Sequence, residues 1–335
     1  MVLVTGGTGL VGAHLLWHLV QNQGVVRAIH RKGSQLQQVE KVFSYYTPNA
    51  TEFFQKIEWV LADITDIPAL ERAFAGIEYV YHAAAMISFD PNDFRSLMKI
   101  NAEGTTNIVN LSIAHSVKKL CYVSTIGTIG RSPNGEASNE ESEWNTDHIN
   151  VYAQSKYAAE MEVWRGSQEG LAVVMVNPGV ILGPGFWNTG TGALFRTAYK
   201  GYRFYPPGGT GFVSVHDVVR MMTHLMNSNL INERYIAVAE NLTFQEILSR
   251  MCPLLGQSPP SKKLKFWQLE LGRVVDLFWN FITRSGRKIT RAAIHSMKHR
   301  DDYSNTKAKE ALDFEFESLD PVIAFSCARF MEEYP

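Results

Sequence analysis

Cysteine is scarce in this sequence, and the few thiols do not form a framework. Among 335 residues there are three, Cys121, Cys252 and Cys327, an odd number at wide spacing and without a Cys-x-x-Cys pair. Small secreted domains held by disulfides and structural zinc sites both need paired or denser cysteines. The scarcity argues against both classes and predicts a reduced, cytoplasmic protein that holds no metal ion.

An excess of positive charge is missing as well. The 32 Lys and Arg residues are balanced by 33 Asp and Glu residues, which leaves a formal net charge of -1. Binding along a nucleic acid needs basic side chains that neutralise many phosphates. We therefore expect a small-molecule partner and no nucleic acid.

Long apolar runs are also absent. The N-terminal run, residues 1–4, stops at Thr5 without a preceding basic region, so we expect no secretory signal and a chain that begins inside its fold. The stretch that comes closest to a membrane span, residues 266–282, is interrupted by Glu270, Arg273 and Asp276. It falls short of the roughly 18 charge-free residues that a span requires.

What the chain does have is 45% hydrophobic residues in a recurring pattern. Short β-branched runs alternate with segments whose apolar residues recur every three or four positions, as in βαβ units. The predicted strands are Val2–Thr5, Val25–Ile29, Ile57–Leu61, Tyr79–His82, Leu120–Ser124, Ala172–Asn177 and Arg234–Val238, and the predicted helices are Leu10–Gln21, Ile67–Ala75, Phe94–His115 and Val151–Glu169. This order predicts an α/β protein with a doubly wound parallel sheet, the Rossmann architecture.

The pattern changes after Asn177, where Pro and Gly become dense in residues 178–179, 183–185 and 206–209. We predict that residues 1–178 and 212–239 form a dinucleotide-binding domain. Residues 179–211 and 240–335 are expected to form a smaller, discontinuous, C-terminal substrate-binding domain.

A glycine-rich loop lies at the first predicted junction of strand and helix. It contains Gly7, Gly9 and Gly12 in the spacing Gly-x-Gly-x-x-Gly, and Gly6 extends the pattern. Glycines in this place allow a tight turn and let backbone N–H groups approach a pyrophosphate. The loop therefore predicts a dinucleotide site.

The acidic residue that usually selects NAD is missing. An Asp or Glu at the end of the second strand would bond the ribose 2′-hydroxyl, yet the first acidic residue of the chain is Glu40. Arg27, Arg31 and Lys32 cluster there instead. Because a guanidinium pairs well with a 2′-phosphate, we favour NADP as the cofactor over NAD.

Tyr152 and Lys156 lie four residues apart, on one face of a predicted helix. A nearby cation favours the phenolate and lowers a tyrosine pKa, which gives this pair a use in acid/base catalysis. Upstream, Ser124 and Thr125 end a predicted strand at the sheet edge where ligands bind in doubly wound folds.

These features together resemble the extended short-chain dehydrogenase/reductase family, over nearly the whole chain. The matching motifs are Thr5-Gly6-x-x-Gly9-x-x-Gly12, Asp63-Ile64, His82-Ala83-Ala84-Ala85, Asn101-x-x-Gly104-Thr105-x-Asn107, Ser124-Thr125, Tyr152-x-x-x-Lys156, Asn177-Pro178-Gly179-x-x-x-Gly183-Pro184 and Phe212-Val213-x-Val215-x-Asp217-Val218.

The resemblance implies catalytic roles. Tyr152 would be the general acid/base, and Lys156 would hold the nicotinamide ribose and lower the tyrosine pKa. Thr125, with Ser124 as the neighbouring alternative, would hydrogen-bond the substrate oxygen. Asn101 would support a proton relay to Lys156, or would simply be a polar residue that bends its helix.

The glycine-rich loop and the family resemblance together predict cofactor contacts at the ends of several strands. They are Gly6, Gly9, Leu10, Val11, Gly12, Arg31, Lys32, Asp63, Ile64, Ala83, Ala84, Ala85, Tyr152, Lys156, Pro178 and Val180. No metal ligand is among them.

Two departures from the family pattern narrow the activity. Dehydratases of this family follow the catalytic Thr with Asp-Glu, where Ile126-Gly127 stand here, and many epimerases have Tyr-Gly at Ile129-Gly130. The apolar loops 85–89 and 183–187 resemble the dihydroflavonol reductase and hydroxysteroid dehydrogenase branch. We predict an NAD(P)-dependent oxidoreductase acting on the carbonyl or secondary alcohol of a moderately apolar molecule. The alternatives are a nucleotide-sugar epimerase with retained NAD and a non-catalytic dinucleotide sensor.

Aromatic residues are frequent where this family builds its substrate pocket. They are Phe186, Trp187, Phe204, Tyr205, Phe266 and Trp267. The last two open an aromatic stretch, residues 264–283, that has basic residues at both ends. We interpret it as a lid or wall of the pocket in preference to a contact with an anionic membrane surface. The sequence leaves the oligomeric state open, a homodimer included.

Overall fold

A parallel sheet of seven strands is the centre of the computed structural model, which describes residues 1–22, 24–132, 135–144, 149–272, 276 and 291–334. The strand order is β10-β6-β5-β4-β1-β2-β3, and every pairing is parallel. The strands are β1 (Val2–Thr5), β2 (Val26–His30), β3 (Ile57–Leu61), β4 (Tyr79–His82), β5 (Lys119–Val123), β6 (Val173–Pro178) and β10 (Glu233–Ala237). This confirms the predicted doubly wound sheet. The order reverses between β1 and β4, where such folds open a crevice for ligands.

Helices cover both faces of the sheet, because alternate residues of its buried strands face opposite sides. Val2 and Val4 of β1 pack into one core with residues from the first and ninth helices, whereas Leu3 packs into a second core with the fourth, sixth and seventh. The helices are α1 (Leu10–Asn22), α2 (Leu36–Ser44), α3 (Ala50–Phe54), α4 (Ile67–Phe74), α5 (Phe94–Leu97), α6 (Gly104–Ala114), α7 (Val151–Gln168), α8 (Gly192–Tyr199), α9 (Val215–Asn227), α10 (Phe244–Leu254), α11 (Arg291–Lys298), α12 (Thr306–Leu312) and α13 (Leu319–Glu333).

The predicted helix 94–115 is interrupted. Residues Met98–Glu103 form a π-helix between α5 and α6, and the helix ends at Ala114. Such segments hold one extra residue per turn and are frequent at functional sites.

Two smaller sheets follow the main one. Strands β7 (Val180–Leu182), β9 (Gly209–Ser214) and β11 (Glu240–Thr243) form a sheet in the order β11-β9-β7, and β8 (Phe204–Tyr205) pairs with β12 (Lys262–Lys263). The chain passes from the main sheet to β7 at Gly179, where a Cβ would lie 2.4 Å from the carbonyl oxygen of Gly211. The domain boundary predicted after residue 178 lies at this crossing and stays a prediction.

A separate apolar core lies beneath these strands, formed with α8, α10 and α13. Trp187, which we expected at the substrate pocket, is buried in this core and meets Phe195 and Phe330 edge-on. It is a packing residue, because a ring in contact with two others inside a core is not available to a ligand.

Several sequence features can be placed only in part. Residues 273–275 and 277–283, half of the aromatic stretch 264–283, lie outside the described residues. Within the described ranges, no helix has both the length and the apolarity needed to cross a bilayer, and no group of three His, Cys, Asp or Glu is placed to hold a metal ion. The three cysteines are buried free thiols.

Candidate active site

The glycine-rich turn connects β1 with α1 at the crevice. Gly6 has a φ of +73°, and a Cβ on it would lie 2.6 Å from the backbone of Ala83. A Cβ on Gly12 would lie 2.1 Å from the carbonyl oxygen of Gly6, whereas one on Gly9 would meet only that oxygen, at an ordinary 3.5 Å. The fold itself therefore requires glycine at 6 and 12. Position 9 is different, since the missing side chain leaves room for the close approach of a ligand.

The N-terminus of α1 faces the same turn. Leu10 and Val11 are its first residues and are half-buried. Backbone N–H groups in the first turn of a helix have no partner within the helix and attract phosphate. The arrangement therefore fits a dinucleotide pyrophosphate at this turn.

Basic side chains lie at the carboxyl end of β2. Arg31 and Lys32 are exposed there, beside the end of β3, where Asp63 accepts hydrogen bonds from the backbone N and the hydroxyl of Thr65 at 2.9 and 2.7 Å. Arg27 is different, since its guanidinium donates to the carbonyl oxygens of Ala73 and Ala75 and pairs with Glu58. Arg31 and Lys32 therefore face solvent and are available to a ligand. Arg27 instead stabilises the fold through its bonds to neighbouring elements.

The adenine side of the predicted site has an apolar floor. Ile64 is buried, and a Cβ on Gly104 would lie only 2.6 Å from its side chain. Asn107 donates to the carbonyl oxygen of Ile64 at 3.0 Å. The glycine of α6 and this hydrogen bond fix Ile64 beside Asp63.

A polar chain under the site connects β1, β4 and α6. The hydroxyl of Thr105 donates to the carbonyl oxygen of Asn101 at 2.5 Å and therefore accepts from His82 Nε2, 2.9 Å away. His82 Nδ1 is then the acceptor of the Thr5 hydroxyl, at 2.6 Å. Burial, reinforced by the charge of Lys156, lowers the pKa of His82 to about 3. The imidazole is therefore neutral and acts as a fixed connector.

The backbone of residues 83–85 crosses the glycine turn directly above this chain. Ala83 N donates to the carbonyl oxygen of Thr5 at 3.2 Å, and Ala84 N donates to its hydroxyl at 3.3 Å. Ala85 is exposed. Ala83 and Ala84, two of the three alanines predicted to line the cofactor, are thus held at the glycine turn.

Tyr152 and Lys156 lie on α7, which begins with Asn150 accepting a hydrogen bond from Ala153 N at 2.8 Å. Lys156 is buried, and its Nζ donates to the phenol oxygen of Tyr122 at 2.6 Å and to the carbonyl oxygen of Val123 at 2.8 Å. Burial lowers the pKa of Lys156 to about 7, although the charge of Glu160 acts in the opposite direction. The ammonium is therefore fixed in place, and its charge is weakened.

The phenol of Tyr152 is half-buried, with its ring edge-on to Phe89 at 5.8 Å between centroids. Burial raises its pKa to about 12. The resemblance implies a tyrosine pKa lowered by Lys156, whereas in the structure desolvation dominates. Tyr152 therefore carries its proton at neutral pH.

The structure distinguishes Thr125 from Ser124. Thr125 is half-buried just after β5, and its Oγ1 accepts from Gly127 N at 3.2 Å, which leaves its hydroxyl hydrogen for another acceptor. Ser124 is buried and donates to Glu160 at 2.7 Å. Thr125 is therefore the hydroxyl available to a substrate, and Ser124 belongs to the interior.

Asn101 lies in the π-helix and is buried. Its Oδ1 accepts from Met86 N at 2.7 Å, and its Nδ2 donates to the carbonyl oxygen of Met86 at 3.0 Å and to Ser155 Oγ at 2.9 Å. Ser155 directly precedes Lys156. Asn101 thus connects the loop after β4 to the helix that carries the predicted catalytic pair.

A buried ion pair between α7 and β10 was not predicted from the sequence. Glu160, with no exposed surface, pairs with Arg234 of β10 at 2.9 Å, and its other oxygen accepts from Ser124 and from Asn177 Nδ2 at 3.2 Å. Asn177 also donates to the carbonyl oxygen of Thr125 at 3.3 Å. The signal was present, since Glu160 follows Lys156 by one helical turn, but its partner lies 74 residues away.

The nicotinamide side of the predicted site is the passage from β6 to β7. Pro178 ends β6 and Val180 begins β7, where it pairs with Phe212. Further along, the carbonyl oxygen of Pro184 lies 3.1 Å from Nε2 of His14, whose Nδ1 is 2.9 Å from the phenol oxygen of Tyr46. Burial lowers the pKa of His14 to about 3, so this histidine is a neutral tie between α1 and the second part of the chain.

A family model described as the NAD dependent epimerase/dehydratase family matches residues 2–237. A putative dihydroflavonol 4-reductase of Synechocystis sp. is 30% identical over 275 residues, which cover 79% of this chain and 75% of that protein. Sterol demethylase protein B of Methylococcus capsulatus is 29% identical over 265 residues, covering 77% of this chain and 75% of that protein. Among solved structures, that of gox2253 superposes with a TM-score of 0.81 at 26% identity, covering 99% of this chain and 98% of the other.

Proposed function

Because the chain belongs to the NAD-dependent epimerase/dehydratase family of extended short-chain dehydrogenases/reductases, we propose that it reduces the carbonyl group of a moderately apolar small molecule, with NADPH in preference to NADH. The observation that carries the proposal is the pair on α7, in which the half-buried phenol of Tyr152 lies one turn before the buried Lys156. A protonated acid is the form that carbonyl reduction needs.

The residues at the crevice fit a nicotinamide dinucleotide. The room at Gly9 and the start of α1 would receive the pyrophosphate, Asp63 and Ile64 the adenine, and Arg31 with Lys32 the 2′-phosphate. Pro178 and Val180 would border the nicotinamide, and Lys156 would hold its ribose. When bound, the cofactor supplies the hydride.

The proton then comes from the protein. Tyr152 donates the proton of its phenol to the carbonyl oxygen, while the Thr125 hydroxyl donates a hydrogen bond to the same oxygen as negative charge develops there. Lys156, held by Tyr122 and Val123, stabilises the phenolate that remains. Asn101 positions the loop and the helix on either side through Met86 and Ser155, whereas the described hydrogen bonds of Lys156 Nζ go to Tyr122 and Val123.

The preference for an apolar substrate rests on the loop after β4. Ile87 and Phe89 are 56% and 47% exposed, and Phe89 lies against Tyr152. Exposed apolar side chains next to a candidate acid are typical lining for an apolar ligand. We propose that residues 1–178 and 212–239 hold the cofactor, that residues 179–211 and 240–335 shape the substrate site, and that the protein works in the cytoplasm.

A nucleotide-sugar epimerase that retains NAD is the second candidate. Arg196 favours it, since its Nε is buried without a hydrogen-bond partner among the described residues and could serve a diphosphate. Ile129 and Gly130, where many epimerases have Tyr-Gly, and the exposed apolar loop favour the reductase. A non-catalytic sensor has no need of Thr125, Tyr152 and Lys156 together.

The test is NADPH oxidation against a panel of apolar ketones, aldehydes, and flavonoid-like and steroid-like carbonyl compounds. Tyr152→Phe should lower turnover by at least about 10²-fold, the usual effect of a lost general acid, while NADPH binding persists. Tyr157→Phe is the matched control, since that ring lies on the same helix stacked on Trp144 and should change little. Retained cofactor with interconversion of a nucleotide sugar, and no net NADPH oxidation, would establish the epimerase instead.

A further inference from the structure

An exposed group of large side chains lies in the second part of the chain, and none of its members is among the crevice residues. Strand pairing places Phe204 opposite Lys262, and the helical residues 266–272 begin three residues after β12. Trp267 and Leu271, four residues apart, share one face of that helix. The members of this group are between 42% and 59% exposed, and they are Tyr202, Phe204, Phe266, Trp267 and Leu271.

Basic side chains surround this apolar group. Six of them are exposed, on or next to β8 and β12 or at the ends of α8 and α11. Among them, Lys298 Nζ lies 5.0 Å from the centre of the Phe266 ring. The described carboxylates in the same stretch are Glu270 and Asp276. On a chain whose net charge is -1, such an excess makes a locally positive face. The six are Lys200, Arg203, Lys262, Lys263, Lys265 and Lys298.

We propose that this basic aromatic face, formed by the five apolar and six basic side chains, docks on the surface of an anionic lipid bilayer. Trp and Tyr rings favour the boundary between headgroups and acyl chains. Lysine stems lie along apolar surface while their ammonium groups reach anionic headgroups. The aromatic rings of the face would therefore lie at the boundary with the acyl chains, and its basic side chains would contact the anionic headgroups.

The exposure of the face distinguishes this role from that of a pocket wall. Phe266 and Trp267, expected from the sequence to close the substrate site, present more than half of their surface to solvent. Large exposed apolar groups rimmed by charge are typical of contact surfaces. The proposal stands independently of the catalytic one, because it involves none of the crevice residues.

Sedimentation with vesicles tests the proposal. The full chain should bind vesicles of phosphatidylcholine mixed with phosphatidylglycerol, and should not bind phosphatidylcholine alone. Lys262→Glu/Lys263→Glu and Phe266→Ser/Trp267→Ser should each weaken binding at least about tenfold, since both attraction and burial are required. Added salt should weaken binding of the unmodified protein, because exposed charges are screened.

Matched controls keep the result specific. Lys41→Glu/Lys309→Glu makes the same charge change on other exposed positions, and Ile231→Ser/Leu254→Ser removes exposed apolar side chains elsewhere. Both should bind vesicles like the unmodified protein. NADPH titration of every variant checks that the fold and the crevice are intact, so failure of docking is separable from failure of the proposed catalysis.

Fluorescence gives a second measurement. Anionic vesicles should shift the emission to shorter wavelength, and Trp267→Phe should remove most of that shift. Equal binding to neutral vesicles, or binding unaffected by the face variants, would overturn the proposal. So would capture of a single-stranded oligonucleotide in place of vesicles, or self-association that the face variants abolish.

Discussion

Among single residues, Lys156 serves the proposed catalysis while its burial lowers the stability of the folded protein. Its ammonium is buried between Tyr122 and the backbone of Val123, next to a neutral His82. Removing an ammonium from water costs free energy unless charge or hydrogen bonds compensate, and here its pKa falls from 10.5 to about 7. The protein thus retains a group that favours the unfolded chain over a wide range of pH.

The sign of this effect can be measured. Between pH 7 and 10 the unfolded chain binds a proton at Lys156 that the folded chain does not, so the free energy of unfolding rises with pH, by up to about 1.4 kcal/mol per unit. Lys156→Met removes this gain, so the stability of the variant relative to the unmodified protein should fall as the pH rises from 7 to 9. Denaturant unfolding at several pH values checks this. A difference that stays constant would show that Lys156 titrates at its ordinary value.

Arg31 is the exposed side chain on which the proposed preference for NADPH depends. A guanidinium bound to a 2′-phosphate contributes charge-assisted hydrogen bonds of about 1.5–3 kcal/mol each. Arg31→Ala should therefore raise the dissociation constant of NADPH at least about tenfold and leave that of NADH nearly unchanged. Fluorescence titration measures both, with Lys41→Ala as an exposed control. Equal affinities in the unmodified protein would contradict the proposed preference.

Among the elements, the π-helix explains how the Asn101 side chain bonds both the loop after β4 and helix α7. A regular helix over residues 94–115 would rotate each side chain by about 100° per residue. The wider turn at Met98–Glu103 places Asn101 where it bonds both Met86 and Ser155. The π-helix therefore positions the loop after β4 against α7.

Truncating Asn101 tests this positioning. Asn101→Ala leaves the backbone N–H and carbonyl of Met86 without their partners, so the free energy of unfolding should fall by about 2–3 kcal/mol. Amide exchange should rise in residues 85–89 and stay unchanged in β5, a result that a general loss of stability would not give. Asn110→Ala, an exposed residue on α6 bonded to Arg165, is the control. Unchanged exchange at Met86 would show that the loop is held by other contacts.

Sequence patterns predicted the elements better than their internal geometry. The strands were evident because short β-branched runs alternate with segments whose apolar residues have helical spacing, and β1 to β6 are such runs. The π-helix was not evident, because an extra residue in one turn leaves the apolar spacing nearly intact. The direction of Arg27 was also missed, because buried strands with two apolar faces do not show which side a polar residue takes.

At the scale of the whole molecule, prediction was limited by contacts between distant segments. The glycine turn, Thr125, Tyr152 and Lys156 could be identified because local motifs define them. The burial of Trp187 against Phe330 and the pairing of Glu160 with Arg234 depend on how separate segments pack, which no local pattern records. The sequence therefore predicted the residues of the candidate site, but it did not predict the buried long-range contacts that support them.

The pairing of Glu160 with Arg234 also affects how the protein is made. Residues 1–178 contain six of the seven strands, and they leave the ribosome before β10 has been synthesised. Until then, folding α7 into place would bury the Glu160 carboxylate without its cation, which costs about 3–5 kcal/mol. Packing α7 early is therefore less favourable by that amount, and the edge of β6 stays open to other strands until β10 arrives. Release of residue 234 from the ribosome closes that edge and supplies the missing charge in the same event.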